Sequence, residues 1–520
     1  MSKETLYYAF QCRQTDVIPW VPFVGCHAGN LIGLGADQFL AKEENIFNGV
    51  SAAIENYEPD GIPVMFDLQL EAEALGCRLQ WNSKTPPAVV THPVADGRHL
   101  NDLKIPTADS HRIPLVLNSA ARLKRKYPDT ALYGLVTGPF TLSLHLAGTD
   151  IFMKMLESPP EVNDLMEFST EVAEAMTAYY IEAGCDIIAL VDPMTSQIDP
   201  ASFSRFVSPY ATRIFEYVHQ KRKFSSFFVC GHAQQNIEAM CLCKPDNISI
   251  DENIPLEYVK TVAGSHHLSF GGNLRLTTVL LHGSEEDSMR EALECMDTSG
   301  NRGFILSPGC DLPYDTPPKN IKAITRLIHD PYLQDVTRML VRKPEDAEHL
   351  DMKDYGISGK VIVDIITLDS ESCAPCQYMV EAVKRVAPHF EGIVEWREHP
   401  IKKLEGLSFM SSLMVKNIPT ICIDGKISFV SRIPPQNELI MAIQKRINEK
   451  LRLKIRSGKG EIMVFGKNRE EADELLVRIG KALEETARDI PVKTSFDPNQ
   501  VAAYGIVRTP AVIVAEYKLK

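Results

Sequence analysis

Gly303-Phe304-Ile305-Leu306-Ser307-Pro308-Gly309-Cys310-Asp311-Leu312-Pro313 decides the fold: a short apolar run stops at a Pro-Gly turn, and the turn delivers a thiol. Such a run bounded by turn residues reads as a buried strand. Seven runs of the same kind precede it: Val21–Val24, Ile62–Phe66, Leu132–Val136, Asp186–Val191, Ser226–Cys230, Ile248–Ile250 and Leu268–Gly272. Helical patterns such as Pro160–Ala183 and Glu285–Asp297 separate them. Strands alternating with amphipathic helices predict a parallel sheet, and eight of them between Ile18 and about Pro331 predict a (β/α)8 TIM barrel. In that fold, active residues stand at the C-terminal ends of strands. Asp67, Asp192, Cys230, Asp251, Glu252 and Cys310 all fall there.

The bulk properties narrow the partners. The chain has 520 residues, 44% hydrophobic, enough for at least two cores. Its formal charge of −13 repels polyanions, which excludes a general nucleic-acid or anionic-membrane surface. No stretch approaches the roughly 20 apolar residues that span a bilayer, and Met1–Gln14 lacks a basic segment followed by an apolar run. The expectation is a cytoplasmic protein that handles small ligands and protein partners. Twelve cysteines without a repeating spacing read as reduced thiols, most of them buried packing.

A charged, proline-containing stretch, Arg342–Lys353, separates the barrel (1–345) from a tail. In the tail, Lys360–Thr367, Pro375–Val386, Ile393–Glu398, Lys403–Val415, Thr420–Ile423, Lys426–Val430 and Gln436–Leu451 read as a βαβαββα unit (357–453), with a hairpin at Asp424-Gly425. The segment 458–520 repeats its start: strand Glu461–Phe465, helix Arg469–Thr486, strand Val492–Ser495, helix Pro498–Tyr504 and strand Ala511–Ala515. Cys373-Ala374-Pro375-Cys376 lies between the first strand and helix of the first copy, and Gly466-Lys467-Asn468-Arg469 takes its position in the second. A helix N-terminus favours thiolate, so Cys373 reads as the attacking thiol and Cys376 as the resolving one. With Ile418-Pro419-Thr420 and Arg508-Thr509-Pro510, the tail resembles two thioredoxin- or glutaredoxin-like α/β units. The resemblance implies a proline, usually cis, against the disulfide, and redox residues in the first copy only. A zinc-binding or simply buried cysteine pair is the alternative.

In the barrel, strand period two puts Phe228 and Cys230 on one face, joined by His232 if the extended path continues. Cys310 arrives from the last strand. Two thiolates and an imidazole suit Zn²⁺ and leave a position for a substrate thiol. Leu135–Phe140, Asp192-Pro193-Met194, Ser249–Glu252, Asp60–Pro63, Gly76-Cys77, Gly272-Asn273 and above all Gly303–Pro313 carry a likeness from about Trp20 to Leu327. They resemble the uroporphyrinogen decarboxylase superfamily, in particular its methylcobamide:coenzyme M methyltransferase branch. That branch implies zinc on a His-x-Cys pair plus the cysteine of a Ser-Pro-Gly-Cys loop. It also implies methyl transfer between a corrinoid protein, or methylcobalamin, and a small thiol; on that reading Asn273 is the candidate for cofactor contact, and Asp192 and Glu252 would polarise or orient the ligand.

The chain departs from that pattern at Phe228-Val229-Cys230, which has no histidine two residues before the cysteine. The third ligand stays open between His232, Glu252 and Cys26, and a barrel without zinc stays open too. Arg275 stands where relatives commonly have Asp. A decarboxylase of the same superfamily needs cations for a polycarboxylate substrate, and Pro22–Asn30 contains no Lys or Arg. Asp67 reads as a cap for a helix Leu68–Leu75, and His27, His266 and His267 as bland loop residues. A noncatalytic barrel that binds a ligand or a corrinoid protein beside a redox tail is the remaining alternative, favoured by the lost histidine and opposed by the two retained thiols.

Overall fold

The computed structural model describes residues 2–339, 355, 359–371, 373–457, 461–486 and 490–514. The expected linker Arg342–Lys353 and residue Ala515 lie outside the described residues. The chain divides into two compact units: one contains the N-terminal region through helix Pro331–Met339 together with Leu368–Tyr378 and Pro400–Ser408, and the other contains the rest of the tail.

The first unit is built on a parallel sheet of β1 (Gly61–Pro63), β2 (Ala131–Thr137), β3 (Ile187–Val191), β4 (Phe224–Val229), β5 (Asn247–Ile250), β6 (Ser269–Leu274) and β7 (Phe304–Pro308), neighbours in that order. Every residue of β2, β3, β5, β6 and β7 is buried, because helices cover the outer face and side chains fill the inner one. Alternate residues point inward: Ala131, Tyr133 and Leu135 of β2, and Ile187, Ala189 and Val191 of β3. They meet Phe23, Phe66, Phe228 and Ile305, with Phe23 and Phe228 ring centroids 4.7 Å apart. Helix Lys3–Phe10 contributes Leu6, Ala9 and Phe10 to the same cluster.

The eighth strand differs from expectation. Val21–Val24 forms no strand; the pairing lies upstream, where Leu306 N–H donates to the Pro19 carbonyl and Val21 N–H to that of Leu306. On the other side Asp60 N–H donates to Trp20 O, and Trp20 N–H to Asp60 Oδ2. Residues 19–21 thus bridge β7 and the residue preceding β1. Pro19 and Pro22 have no N–H to give, so the ladder cannot extend in either direction. The helices fall close to expectation, at Pro159–Glu182 and at Glu285–Ser299; the second starts in a capping box between Ser284 and Asp287.

In the second unit, β8 (Val361–Thr367), β9 (Val394–Pro400), β10 (Thr420–Ile423) and β11 (Lys426–Val430) form a sheet in the order β9-β8-β10-β11. β10 is antiparallel to both β8 and β11. Asp424 (φ 47°) and Gly425 (φ 75°) make the tight hairpin that Asp-Gly predicts. Val363, Ile365, Val383, Ile421, Ile423, Leu439 and Ile443 share its core. A smaller sheet follows, with β12 (Ile462–Phe465) parallel to β13 (Val492–Ser495) and antiparallel to β14 (Ala511–Val514). The Ile418-Pro419 and Thr509-Pro510 bonds are cis. Among the described residues no helix is long and apolar enough to cross a membrane.

Candidate functional site

Within the first unit, a cavity of about 80 Å³ opens beyond the C-terminal ends of the barrel strands. Cys230, one residue past β4, and Cys310, two past β7, line it together with Cys26, Asp311, Phe66, Lys84, Cys373 and Lys402. The Cys230 and Cys310 thiols act on each other's ionisation. The interaction with Cys310, then burial, raises the Cys230 pKa well above the ordinary thiol value. At Cys310 the same interaction pulls the pKa down, and burial with Asp251 and Asp311 more than offsets it. The structure thus places both thiols just beyond strand ends, in the lining of one cavity.

His232 is not brought to them by the path the sequence implied. β4 ends at Val229, and Gly231 turns the chain with φ 87°, a conformation that glycine adopts freely. Asp251 Oδ2 fixes this turn by accepting from Gly231 N–H at 2.9 Å. His232 lies near the Asp251 carboxylate, whose pKa its charge lowers against the dominant effect of burial, and it does not line the cavity. Among the described residues no cluster of three or more His, Cys, Asp or Glu has the closeness a metal ion requires. Cys26 lines the cavity with the two thiols, yet among the described residues neither it, His232 nor Glu252 completes a metal-holding cluster with them, so the arrangement does not fit a three-ligand zinc site.

Asp192, Glu252 and Asn273 also stand outside the cavity lining. Asp192 is fully buried; its Oδ1 accepts from Thr141 N–H (2.8 Å) and Oγ1 (2.6 Å), and its Oδ2 from Phe140 N–H (3.2 Å). Burial raises its pKa to about 6 while these donors hold it down. The carboxylate thus anchors the start of helix Pro139–Ala147. Glu252 accepts from Leu276 N–H, and burial followed by the charge of Asp251 pushes its pKa up. Asn273 donates to the Ile254 carbonyl at 2.7 Å. Arg275 forms a bidentate pair with Glu291 at 2.8 and 2.6 Å.

Asp67 only partly matches the expected cap. Its Oδ1 accepts from Gln69 N–H, but the helix starts at Leu70, and its Oδ2 pairs with Arg112 at 2.7 Å. His27 is no loop residue: it is fully buried in helix His27–Leu31, bonded to the Tyr57 hydroxyl at 2.6 Å, with its pKa lowered to about 4, chiefly by burial.

Asp311 and Lys402 are the site residues that sequence reasoning missed. Asp311 accepts from Gly25 N–H at 2.7 Å, and burial raises its pKa to about 8 against Gly25 and the Lys402 charge. Its position next to Cys310 was the available signal. For Lys402, paired with Asp369 at 3.2 Å, no local pattern gave one. Cys373 immediately precedes helix Ala374–Val386; its N–H donates to the Asp369 carbonyl. The Cys376 thiol, fully buried, donates to the Cys373 sulfur.

Residues 1–331 match the family model described as Uroporphyrinogen decarboxylase (URO-D). The methylcobamide:CoM methyltransferase MtbA of Methanosarcina acetivorans is 26% identical over 328 residues, covering 62% of this chain and 95% of the relative. MtaA of Methanosarcina barkeri, another methylcobamide:CoM methyltransferase, is 28% identical over 284 residues (52% and 81%). Uroporphyrinogen decarboxylase of Trichodesmium erythraeum is 23% identical over 298 residues (55% and 82%). A solved methyltransferase from Methanosarcina mazei superposes with a TM-score of 0.59 at 24% identity, covering 63% of this chain and 98% of that one. The barrel that carries Cys230 and Cys310 is therefore a URO-D barrel, and the chain belongs to the uroporphyrinogen decarboxylase (URO-D) family.

Proposed function

We propose that the first unit is a methyltransferase that moves a methyl group between a cobamide and the sulfur of a small thiol. The cobamide arrives on a separate corrinoid protein or as free methylcobalamin. In the forward direction the thiol ionises, its sulfur takes the methyl, and cobalt keeps the electron pair of the broken cobalt–carbon bond. The observation that carries this reading is the cavity: about 80 Å³ lined by Cys230, Cys310 and Cys26, with Asp311 beside them. That volume suits a short thiol, since one water needs roughly 10–15 Å³ on the same measure. The methylcobamide:CoM methyltransferase activity of the relatives MtbA and MtaA supports the choice of methyl group and cobamide.

Positioning does most of the work in this reading. Asp311 ties the loop of Cys310 to Gly25. Asp192 and Glu252 act one step removed, as positioning residues that hold Thr141 and Leu276, and Asn273 fixes the backbone at Ile254. This reading needs no zinc, since neither His232 nor Glu252 joins Cys230 and Cys310 in the cavity lining. The decarboxylase alternative is weaker: the cavity's cations are Lys84, paired with Asp315 at 2.7 Å, and Lys402, paired with Asp369, which leaves little for a polycarboxylate.

We read the tail as a thioredoxin-like unit with Cys373 and Cys376 as its thiol–disulfide pair, followed by a shorter repeat without cysteines, and the whole as cytoplasmic. The order β9-β8-β10-β11 and the position of Cys373 at a helix start support this. The discriminating experiment offers the full chain methylcobalamin with a panel of small thiols and, separately, uroporphyrinogen. Methyl thioether formation with demethylation of the cobalamin is expected. Decarboxylation without methyl transfer would overturn the reading, and binding without either reaction would favour a noncatalytic barrel.

A further inference from the structure

We propose that Cys230, Cys310, Cys373 and Cys376 form one thiol–disulfide relay inside the first unit, in which the Cys373/Cys376 pair reduces a Cys230–Cys310 disulfide through a Cys373–Cys230 mixed disulfide. The proposal rests on the reading of Cys373 and Cys376 as a redox pair and adds its substrate.

Three observations converge on it. The barrel thiols line one cavity, and among the described residues no cluster of three or more His, Cys, Asp or Glu could hold a metal there, so their pairing suits a dithiol better than a metal site. Cys373 lines the same cavity as both, and its charge acts on Cys230, which makes Cys230 the sulfur attacked in this relay. Cys376 stands behind Cys373, fully buried and hydrogen-bonded to it, as a resolving thiol must. Other cysteines are engaged elsewhere: the Cys77 thiol donates to the His145 carbonyl and that of Cys243 to Ala239.

The chemistry balances. A hydroperoxide takes two electrons from Cys230 and Cys310, leaving their disulfide, an alcohol and water. The Cys373 thiolate attacks the Cys230 sulfur; the Cys230–Cys310 bond breaks, and Cys310 leaves as a thiolate that takes up a proton. Cys376, giving up its proton, then attacks Cys373 and releases Cys230. The barrel pair is restored as a dithiol, the tail pair holds the disulfide, and an external dithiol reduces it. The methyl-transfer cavity thereby carries its own repair couple.

The test uses the full chain. Cys376→Ser, and Cys376→Ala in case serine disturbs the buried site, are oxidised with one equivalent of hydrogen peroxide, alkylated and mapped by peptide mass spectrometry. Fragment ions must locate the bond, because the Cys230 peptide also holds Cys241 and Cys243. A Cys373–Cys230 cross-link is expected in both variants and lost when Cys230→Ser is added. In the wild type the disulfide is expected at Cys373–Cys376 with Cys230 and Cys310 free. A stable Cys230–Cys310 disulfide with no cross-link in either variant would overturn the relay. If the wild type still forms Cys373–Cys376, the redox reading survives that loss; if it forms at no peroxide or dithiol level, that reading fails as well.

Discussion

Gly25 N–H donates to Asp311 Oδ1 at 2.7 Å, and a Cβ at Gly25 would lie only 2.5 Å from the same oxygen. This bond ties the segment that follows the eighth pairing position to the loop that carries Cys310. Leu312 N–H, donating to the Phe23 carbonyl at 2.9 Å, reinforces it. Asp311→Ala leaves the Gly25 donor without its partner at a cost of about 1–3 kcal/mol, read by denaturant unfolding. Asp311→Asn keeps an acceptor and is expected to recover most of that stability. Gly25→Ala pushes the loop away and is expected to reduce methyl transfer more than it reduces stability.

Glu71 gives a pH signature. Its Oε1 accepts from Thr137 N–H at 3.0 Å, its Oε2 lies 2.7 Å from Thr137 Oγ1, and burial raises its pKa from 4.5 to about 7. The fold thus favours the protonated acid. Its stabilising contribution is full below pH 4.5 and is lost as pH rises through 7. The loss amounts to roughly 3 kcal/mol at about 1.4 kcal/mol per pH unit. Glu71→Gln keeps the shape and does not titrate, so its stability curve is expected to be flatter between pH 4.5 and 7. Equal slopes in variant and wild type would contradict the assignment.

Gly138 tests the Asp192 anchor. A Cβ there would sit 2.2 Å from Asp192 Cβ, with no flexible end to yield. Gly138→Ala is expected to cost about 1–3 kcal/mol through overpacking. Asp192→Asn sets an amide N–H₂ against the Phe140 or Thr141 N–H and is expected to lower the melting temperature without changing the KM for a thiol.

Metal content separates the two uses of the barrel thiols. With no metal-holding cluster around Cys230 and Cys310 among the described residues, zinc added to the full chain is expected to come off readily to a chelator. Cys373→Ser is expected to leave the retained amount unchanged. About one tightly held zinc per chain, lost in Cys230→Ser, would contradict the donor set described.

Seven of eight strands were legible because parallel strands buried on both faces are continuous apolar runs. The eighth was misplaced because Val21–Val24 is apolar enough to read as a strand while Pro19 and Pro22 limit where its hydrogen bonds can form. The thiol pair was legible from strand ends and turn chemistry. His232 was misjudged because period-two reasoning assumes an extended chain, and Gly231 at φ 87° breaks it. Asp192 and Glu252 stand at strand ends as expected, yet their carboxylates face backbone donors. Lys402, and Cys373 as a wall of the barrel cavity, depend on contacts between residues far apart in sequence, which no local pattern encodes.

The most direct measurement of the central claim is methyl transfer from methylcobalamin to small thiols by the full chain, compared with Cys310→Ser, Cys230→Ser and Cys422→Ser. Cys422 is buried in the sheet of the second unit and is not one of the cavity-lining residues. Turnover in the wild type and in Cys422→Ser, with a loss of about 100-fold or more (about 2.7 kcal/mol) in both cavity variants, is the predicted result. Turnover that survives Cys230→Ser and Cys310→Ser unchanged, or no transfer to any thiol, would contradict it.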